Sequence, residues 1–277
     1  MSVLLPPLPM RQTLSPGRSP RARAMSVLVA AGVVGVMCLP MEKIRFLAAR
    51  AGFLVVSWPD KPHAGTVARQ AVNLSLFMTV MNIAAIVLAA GLSRRMGKNK
   101  LLLPFGNSSL LGRSLALVAS LPYAERILVT TEQTLHWLEQ HEELPPGFRT
   151  VINHAPEEGQ AASLRLGTEA SGADGYMYFT GDQPLLHRDV VLALLERASP
   201  EHIVVPRAGG RPASPVFFPA RFRAELLQRR GDEGGRGVRD AHPEACLQVE
   251  MPDPRILADI DTPEQYEALL REEQSRE

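Results

Sequence analysis

Residues 83–97 of the chain read IAAIVLAAGLSRRMG, and this stretch decides the fold. Its first six residues are all apolar, which is typical of a strand buried on both faces of a parallel sheet. Small residues and glycine end the strand and start a loop rich in positive charge. A buried strand that runs into a basic glycine loop predicts a phosphate-binding α/β fold, provided that further strands alternate with helices.

The sequence after this stretch shows that alternation. Parallel strands joined by helical crossovers give a Rossmann-like, doubly wound, mostly parallel α/β sheet with helices on both faces. In such sheets ligands bind beyond the carboxyl ends of the strands. The predicted strands are 83–88, 126–130, 150–152, 175–180, 203–206 and 215–218, and the predicted helices are 109–120, 135–140, 160–170 and 189–198.

Composition excludes several classes of protein. The 277 residues are 45% hydrophobic and 21% charged, as in an ordinary globular chain. A net charge of +1 argues against a general nucleic-acid binder, which would carry a marked basic excess. Cys38 and Cys246 lie far apart, so the chain has neither a zinc knuckle nor a CxxC redox pair.

Charge divides the chain into two parts. Residues 1–80 carry a net charge of +7, and residues 81–277 carry −6. We predict that 1–80 is an N-terminal extension, either disordered or included through a misassigned start, because Met78 and Met81 directly precede the first clear strand. A membrane anchor in the uncharged run 24–39, which follows four arginines, and a remnant of a fused domain are the alternatives.

The loop after the first strand is predicted to bind phosphate. Gly91 and Gly97 let backbone N–H groups approach an anion, and Arg95 and Lys100 add positive charge. Asn99 stands where a Walker A loop needs Ser or Thr, so the loop is not of that type. The alternative is a solvated basic turn.

Asp182 is a candidate metal ligand, and Asp259 and Asp261 are two further aligned carboxylates. Asp182 follows the strand 175–180, and Asp259 and Asp261 lie at i and i+2, on one side of an extended segment. Carboxylates at the ligand-binding edge suit Mg²⁺. Helix capping is the alternative for Asp182, and we assign Asp189 as the N-cap of the helix 189–198.

Two other strand ends carry polar residues. Thr130 ends one strand, and Asn153 follows the next, close to Ser163 in the helix 160–170. A helix N-terminus with an asparagine suits polar ligand contacts, although capping and packing would also explain it. Arg236 falls within residues 231–237, GDEGGRG, which we interpret as a mobile glycine loop or a plain linker.

Residues 81–270 resemble the MobA-like nucleotidyltransferases, and most closely the molybdenum cofactor cytidylyltransferases. The resemblance rests on LAAGLSRRMGKNKLLLPF, NHAPEEGQAASLRLG, GDQP, RPASPVFF, GDEGGRG and DIDTPEQY, in that order. LAAG resembles the CTP-using form, whereas guanylyl relatives usually read LAGG and have asparagines where this chain has Asp259 and Asp261. Residues 213–215, Ala-Ser-Pro, replace the Gly-His-Pro common in the subgroup, a difference that concerns the acceptor more than the nucleotide.

The resemblance implies a function. Residues 81–277 would form a MobA-like NTP transferase domain of the nucleotide-diphospho-sugar transferase type. It would move CMP from CTP to molybdopterin, the precursor of the molybdenum cofactor, and release pyrophosphate, with Mg²⁺ as the metal. The implied catalytic residues are Lys100, Arg95 and Asp182, and the implied metal ligands are Asp182, Asp259 and Asp261. The implied nucleotide-binding residues are Leu88, Ala89, Ala90, Gly91, Ser93, Arg95, Lys100, Thr130, Asn153, Ser163 and Asp182.

The same resemblance implies a cytoplasmic enzyme. Its partners would be small molecules and a client molybdoenzyme or its chaperone, with no nucleic acid and no membrane at the catalytic domain. The alternatives are a guanylyltransferase, a sugar- or alditol-phosphate nucleotidyltransferase of the same fold, and a non-catalytic cofactor-delivery protein. Retention of Lys100, Asp182 and both late aspartates disfavours the delivery protein.

Overall fold

A computed structural model of the chain describes residues 81–93 and 96–274, and the backbone of three short strands within residues 25–57. The chain divides into two compact units, Met1–Val72 and Asn73–Glu277. In the first unit, β1 (Met25–Ala30) pairs antiparallel with both β2 (Val33–Cys38) and β3 (Leu54–Ser57). The uncharged run 24–39 therefore supplies a strand pair. The predictions of a disordered extension and of a misassigned start concern residues that lie mostly outside the described ones.

The second unit alternates strands and helices, as predicted. Its main strands and helices in chain order are β4 (Ile83–Ala89), α1 (Leu110–Ala119), β7 (Glu125–Thr130), α2 (Glu132–Gln140), β8 (Arg149–Ile152), α3 (Gln160–Glu169), β9 (Gly175–Thr180), α4 (Arg188–Leu195), β10 (Ile203–Ala208), β12 (Val216–Pro219), α5 (Arg223–Leu227), α6 (Arg236–Ala241), β13 (Cys246–Met251) and α7 (Pro263–Gln274). Two-residue strands also occur, at β5 (Pro104–Phe105), β6 (Ser108–Ser109) and β11 (Arg211–Pro212). No helix in the described residues is both long enough and apolar enough to cross a membrane.

Eight strands form one mixed sheet, mostly parallel. Its order is β11-β10-β12-β9-β4-β7-β8, and β13 pairs with β10. The pairs β4–β7, β4–β9, β7–β8 and β10–β13 are parallel, and β12 runs antiparallel to its neighbours β9 and β10. The carboxyl ends of β4, β7, β8 and β9 therefore meet at one edge of the sheet.

Two separate hydrophobic cores show that helices cover both faces. On one face Val87 of β4 packs in a cluster with Leu115 of α1 and Leu194 of α4. On the other face Ile86 packs in a cluster with Leu164 of α3 and residues of α5 and α6. The doubly wound α/β prediction is thus confirmed.

Helix α3 lies unusually close to the sheet. A Cβ on Gly167 would come within 2.4 Å of Ile86 Cγ2, so only glycine fits there. We expect substitution of this glycine to push α3, and the loop before it, away from the sheet edge.

Some boundaries differ from the predictions. Helix α2 starts three residues earlier than predicted, because Thr131 Oγ1 accepts from the Thr134 N–H (3.2 Å) and caps it. The N-cap of α4 is His187 without a side-chain hydrogen bond, and Asp189 lies in the first turn, so its assignment as the N-cap was wrong.

The glycine-rich segment 231–237 is more ordered than the loop we predicted. A 3-10 helix spans Gly231–Glu233, and Arg236 is the first residue of α6. Strand β13 was not predicted at all, because its residues are mostly exposed or half-buried and lack a continuous apolar run.

Candidate active site

A cavity of about 540 Å³ lies at the carboxyl ends of β4 and β9. It is lined by the loop after β4, the start of α3, the turn after β9 and the segment before α7. Among the predicted site residues, those that line it are Leu88, Ala90, Gly91, Ser93, Lys100, Ser163, Asp182 and Asp261.

Lys100 lies between two of the predicted aspartates. Its Nζ is 2.6 Å from Asp182 Oδ2 and 2.7 Å from Asp261 Oδ1. The side chains of Lys100 and Asp182 are 14% and 13% exposed, so this ion pair is largely shielded from water. Burial alone would lower the pKa of Lys100, but the two carboxylates outweigh it and raise the pKa. The ammonium group therefore stays charged at neutral pH.

The loop after β4 fixes the position of Lys100. The Lys100 N–H donates to Ser93 Oγ (3.1 Å), and Asn99 Oδ1 accepts from the Leu101 N–H (3.2 Å). Asn99 Nδ2 also donates to Thr134 Oγ1 in α2 (2.9 Å). Asn99 stands at the position that distinguishes this loop from a Walker A loop. Its two side-chain hydrogen bonds fix the conformation of the basic loop.

Asp182 comes from the turn after β9. Its carbonyl accepts from the Ile260 N–H (3.1 Å), which holds the segment before α7 beside the turn. Helix α4 begins only at Arg188, so Asp182 does not cap it and the capping alternative fails. Its Oδ1 is buried and has no hydrogen-bond partner among the described residues.

The two late aspartates face different cavities. Asp261 lines the first cavity, and Asp259 lines a second one and contacts Thr180 Oγ1 at 3.5 Å. Burial of the carboxyl, together with the negative charges of Asp182 and Asp261, raises the pKa of Asp259 to about 7. Both aspartates lie in the segment that joins a 3-10 helix (Pro254–Leu257) to α7.

The start of α7 holds Asp261 in place. Thr262 Oγ1 accepts from the Gln265 N–H (3.3 Å), as expected of a capping residue. Gln265 Oε1 accepts from the N–H groups of Asp261 (2.7 Å) and Thr262 (2.9 Å). This reciprocal capping arrangement was not predicted, although the spacing of Thr and Gln over four residues could have indicated it.

The carboxylates fit a divalent cation. Asp182 has one buried oxygen without a partner, and the pKa of Asp259 is raised by two other carboxylates. Hard oxygen donors of this kind are the ligands that Mg²⁺ prefers. In the described residues Lys100 lies between two of them, and no three acidic, His or Cys side chains are gathered into a ready metal cluster.

Three predicted nucleotide ligands lie behind the cavity wall. Thr130 is fully buried and donates through Oγ1 to the Ala89 carbonyl (3.2 Å), and Ala89 itself is buried. Asn153 is buried and donates through Nδ2 to Ser163 Oγ (3.0 Å). These three residues lie behind those that line the cavity, and their role as nucleotide ligands remains a prediction. Arg95, also predicted as a ligand, lies outside the described residues.

The second cavity, of about 450 Å³, adjoins the first. Leu88, Gln160 and Thr180 line both cavities. The second cavity adds aromatic side chains, arginines and Asp259. The residues that only it contains include Tyr178, Phe218, Arg211, Arg236, Arg239 and Asp259.

Comparison with known proteins agrees with this architecture. Residues 85–246 match the MobA-like NTP transferase domain. The purine catabolism protein PucB of Bacillus subtilis is 33% identical over 68% of this chain and 96% of its own length. The molybdenum cofactor cytidylyltransferase of Escherichia coli is 26% identical over 66% of this chain and 93% of its own length. The crystal structure of Rv0371c from Mycobacterium tuberculosis has a TM-score of 0.61 and 27% identity, and it covers 69% of this chain and 98% of its own.

The family match spans more than half of the chain, and the relatives are matched over nearly their whole length. The sheet order, the basic loop after β4 and the aspartates that line the first cavity agree with nucleotide transfer. The chain belongs to the MobA-like NTP transferase family and is a nucleotidyltransferase.

Proposed function

We propose that the enzyme transfers CMP from CTP to the terminal phosphate of molybdopterin, with Mg²⁺ as the metal. An acceptor phosphate oxygen forms a bond to the α-phosphorus of CTP. The bond between the α-phosphorus and the bridging oxygen breaks, and pyrophosphate leaves with that electron pair. The products are a molybdopterin cytosine dinucleotide and pyrophosphate.

The observation that carries the proposal is the position of the charged cluster between two cavities. Asp182 and Asp261 face the first cavity and Asp259 faces the second, while Leu88 and Thr180 line both. A two-substrate transfer needs a donor and an acceptor that meet at one reacting phosphorus. We assign CTP to the first cavity and the acceptor to the second.

The chain's own residues position the donor and balance its charge. The backbone after β4 follows the triphosphate, and the Lys100 ammonium, which stays charged, binds its oxygens. Arg95 remains a predicted second cation. When bound by Asp182, Asp259 and Asp261, Mg²⁺ supplies charge neutralisation at the phosphates. The reaction needs no serine or cysteine nucleophile, because phosphoryl transfer depends mainly on positioning and electrostatics.

The second cavity suits a flat, phosphorylated acceptor. Arg211 and Arg236 line it, and their side chains make no ion pair or hydrogen bond with any other described residue. Arginine binds phosphate well through its planar fork of donors. The ring centroids of Tyr178 and Phe218 are 5.8 Å apart, and the two rings form an apolar wall that is suited to a pterin.

The E. coli relative supports the choice of donor and acceptor by its name, molybdenum cofactor cytidylyltransferase. The more similar B. subtilis relative is named for purine catabolism, a name that states no donor or acceptor. The molybdopterin assignment therefore depends on the E. coli enzyme, the LAAG form of the loop and the second cavity.

One experiment tests this proposal. The purified protein is incubated with molybdopterin, Mg²⁺ and each of the four NTPs, and pyrophosphate release and the dinucleotide mass are measured. We expect product with CTP, and none when CTP or molybdopterin is left out. Product with GTP alone, or turnover only with a sugar phosphate as acceptor, would contradict the proposal.

A further inference from the structure

The motif GDQP, residues 181–184, contains a polar side chain that the proposed function does not use. Gln183 follows Asp182, is only 2% exposed and lines neither cavity. Its Nε2 donates to the carbonyl of Leu257 (2.9 Å) and to the carbonyl of Ser214 (3.3 Å). One buried amide group therefore joins three segments that are far apart in the chain.

All three segments contribute to the cavities. The turn that contains Gln183 supplies Asp182 to the first cavity. Residues 258–262, which follow Leu257, supply one late aspartate to each cavity, and Ser214 lines the second cavity. The Gln183 amide thus links the carboxylates to the wall of the second cavity.

The segment 258–262 forms neither a helix nor a strand, so individual contacts determine its position. The Gln183 amide holds its start, at Leu257. The Ile260 N–H donates to the Asp182 carbonyl (3.1 Å) and holds its middle, and the capping arrangement of α7 holds its end. Without the first contact the segment stays attached at its middle and end, so we expect it to shift without unfolding the domain.

Stability alone does not explain a glutamine at position 183. Its Oε1 is buried and has no hydrogen-bond partner among the described residues, an arrangement that costs free energy. A methionine of similar length would remove that cost, but it would also remove both hydrogen bonds of the NH₂ group. The glutamine therefore contributes the link between the segments, at some expense to the fold.

We propose that Gln183 is a positioning residue, which holds the carboxylates of residues 258–262 in place relative to Asp182 and to the second cavity. Replacing residues that orient metal ligands typically changes metal affinity or activity about 10- to 100-fold. The inference rests on the three aspartates being the metal ligands of the proposed function. It does not depend on the identity of the nucleotide base or of the acceptor.

The test compares Gln183→Met with the wild type, both as full-length protein. It measures Mn²⁺ binding in the presence of CTP by electron paramagnetic resonance, steady-state turnover at saturating Mg²⁺, and amide hydrogen exchange of residues 258–262 without ligands. We expect Mn²⁺ affinity and kcat to fall about tenfold or more, and exchange in the segment to become faster. The KM for CTP should stay nearly unchanged, because Gln183 makes no hydrogen bond to the loop after β4 or to Lys100.

Arg126→Met is the matched control. The Arg126 side chain also donates to two backbone carbonyls, those of Leu121 (2.7 Å) and Val118 (3.4 Å). It lies near the amino end of β7 and lines neither cavity. The control should lose stability, as Gln183→Met should, while Mn²⁺ affinity, kcat and exchange of residues 258–262 keep their wild-type values.

An unchanged kcat, or unchanged exchange of residues 258–262, in a folded Gln183→Met protein would overturn the inference. Equal effects in Arg126→Met would also overturn it, because they would show a general loss of stability. If Gln183→Met does not fold, Gln183→Asn replaces it, since an amide one methylene shorter cannot keep both contacts; if neither variant folds, Gln183 is structural and the inference fails. If the wild type binds no Mn²⁺, the proposed metal site fails, and hydrogen exchange together with kcat still decides whether Gln183 positions the segment.

Discussion

The substitution Asp182→Asn separates a metal-binding role for this residue from a purely structural one. Asparagine keeps the shape of the side chain and removes its charge. In the wild type one carboxylate oxygen is 2.6 Å from the Lys100 Nζ, and the other is buried without a partner. A buried oxygen without a partner is costly for the fold, and a cation bound there would satisfy it.

The structure indicates a large effect on rate and a small effect on stability. Loss of a metal ligand removes several kcal/mol of transition-state stabilisation, and at about 1.4 kcal/mol per decade the rate should drop roughly 10³-fold or more. Lys100 keeps its contact with Asp261 (2.7 Å), and an amide oxygen can replace the lost acceptor. We therefore expect a stability loss of about 1 kcal/mol, or a few degrees in melting temperature.

The assay is steady-state turnover at saturating CTP and Mg²⁺, with thermal unfolding followed by circular dichroism. Asp253→Asn is a suitable control, because Asp253 pairs with Arg255 (2.7 Å) outside both cavities. Turnover of Asp182→Asn within tenfold of the wild type, in a folded protein, would refute the metal assignment.

Other predictions follow from the same structure. Truncation to begin at Met81 should leave a folded protein with full turnover, because β4 starts at Ile83 and all the described residues that line the two cavities lie after it. An inactive or insoluble product would refute this prediction. Ala90→Gly should raise the use of GTP relative to CTP severalfold, because Ala90 lines the first cavity and its methyl group leaves less room for a purine. Turnover with the two nucleotides in competition measures this ratio, and an unchanged ratio would contradict the prediction. Hydrogen bonding to Glu225 raises the pKa of His242. The pair should therefore stabilise the fold below about pH 6.5. This stabilisation should disappear as the pH rises through the pKa that His242 has in the folded state. Glu225→Gln should therefore lower the melting temperature more at pH 5.5 than at pH 9, and equal shifts would show that the pair does not act through charge.

Local sequence patterns predicted most of the fold, because a strand or helix that is buried shows a recognisable pattern of apolar residues in the sequence. The run from Ile83 has no polar residue, since both faces of β4 are covered. The residues after β4 and β9 could be assigned to one site because parallel strands end at the same edge. Lys100 and Asp182 meet there for that reason.

Contacts between distant segments could not be predicted in this way. Nothing in the sequence near Asp232 indicates that its carboxylate packs against Gly159, because the contact depends on how α5 and the segment after it lie across α3. Thr130 and Asn153 were predicted at the correct edge, but a strand end does not tell whether a side chain faces the ligand or the protein.

The segment from Gly231 to Arg236 has a consequence for how such enzymes diversify. It contributes Asp232 to the first cavity and Arg236 to the second, only four residues apart. Arg236 is the first residue of α6, so a residue inserted or deleted before it would change the turn that leads into the helix. If the proposed function holds, this one short segment contributes to both the donor cavity and the acceptor cavity. Exchanging this segment between relatives is expected to change both preferences at once, whereas substitutions at Arg211 can alter the acceptor alone.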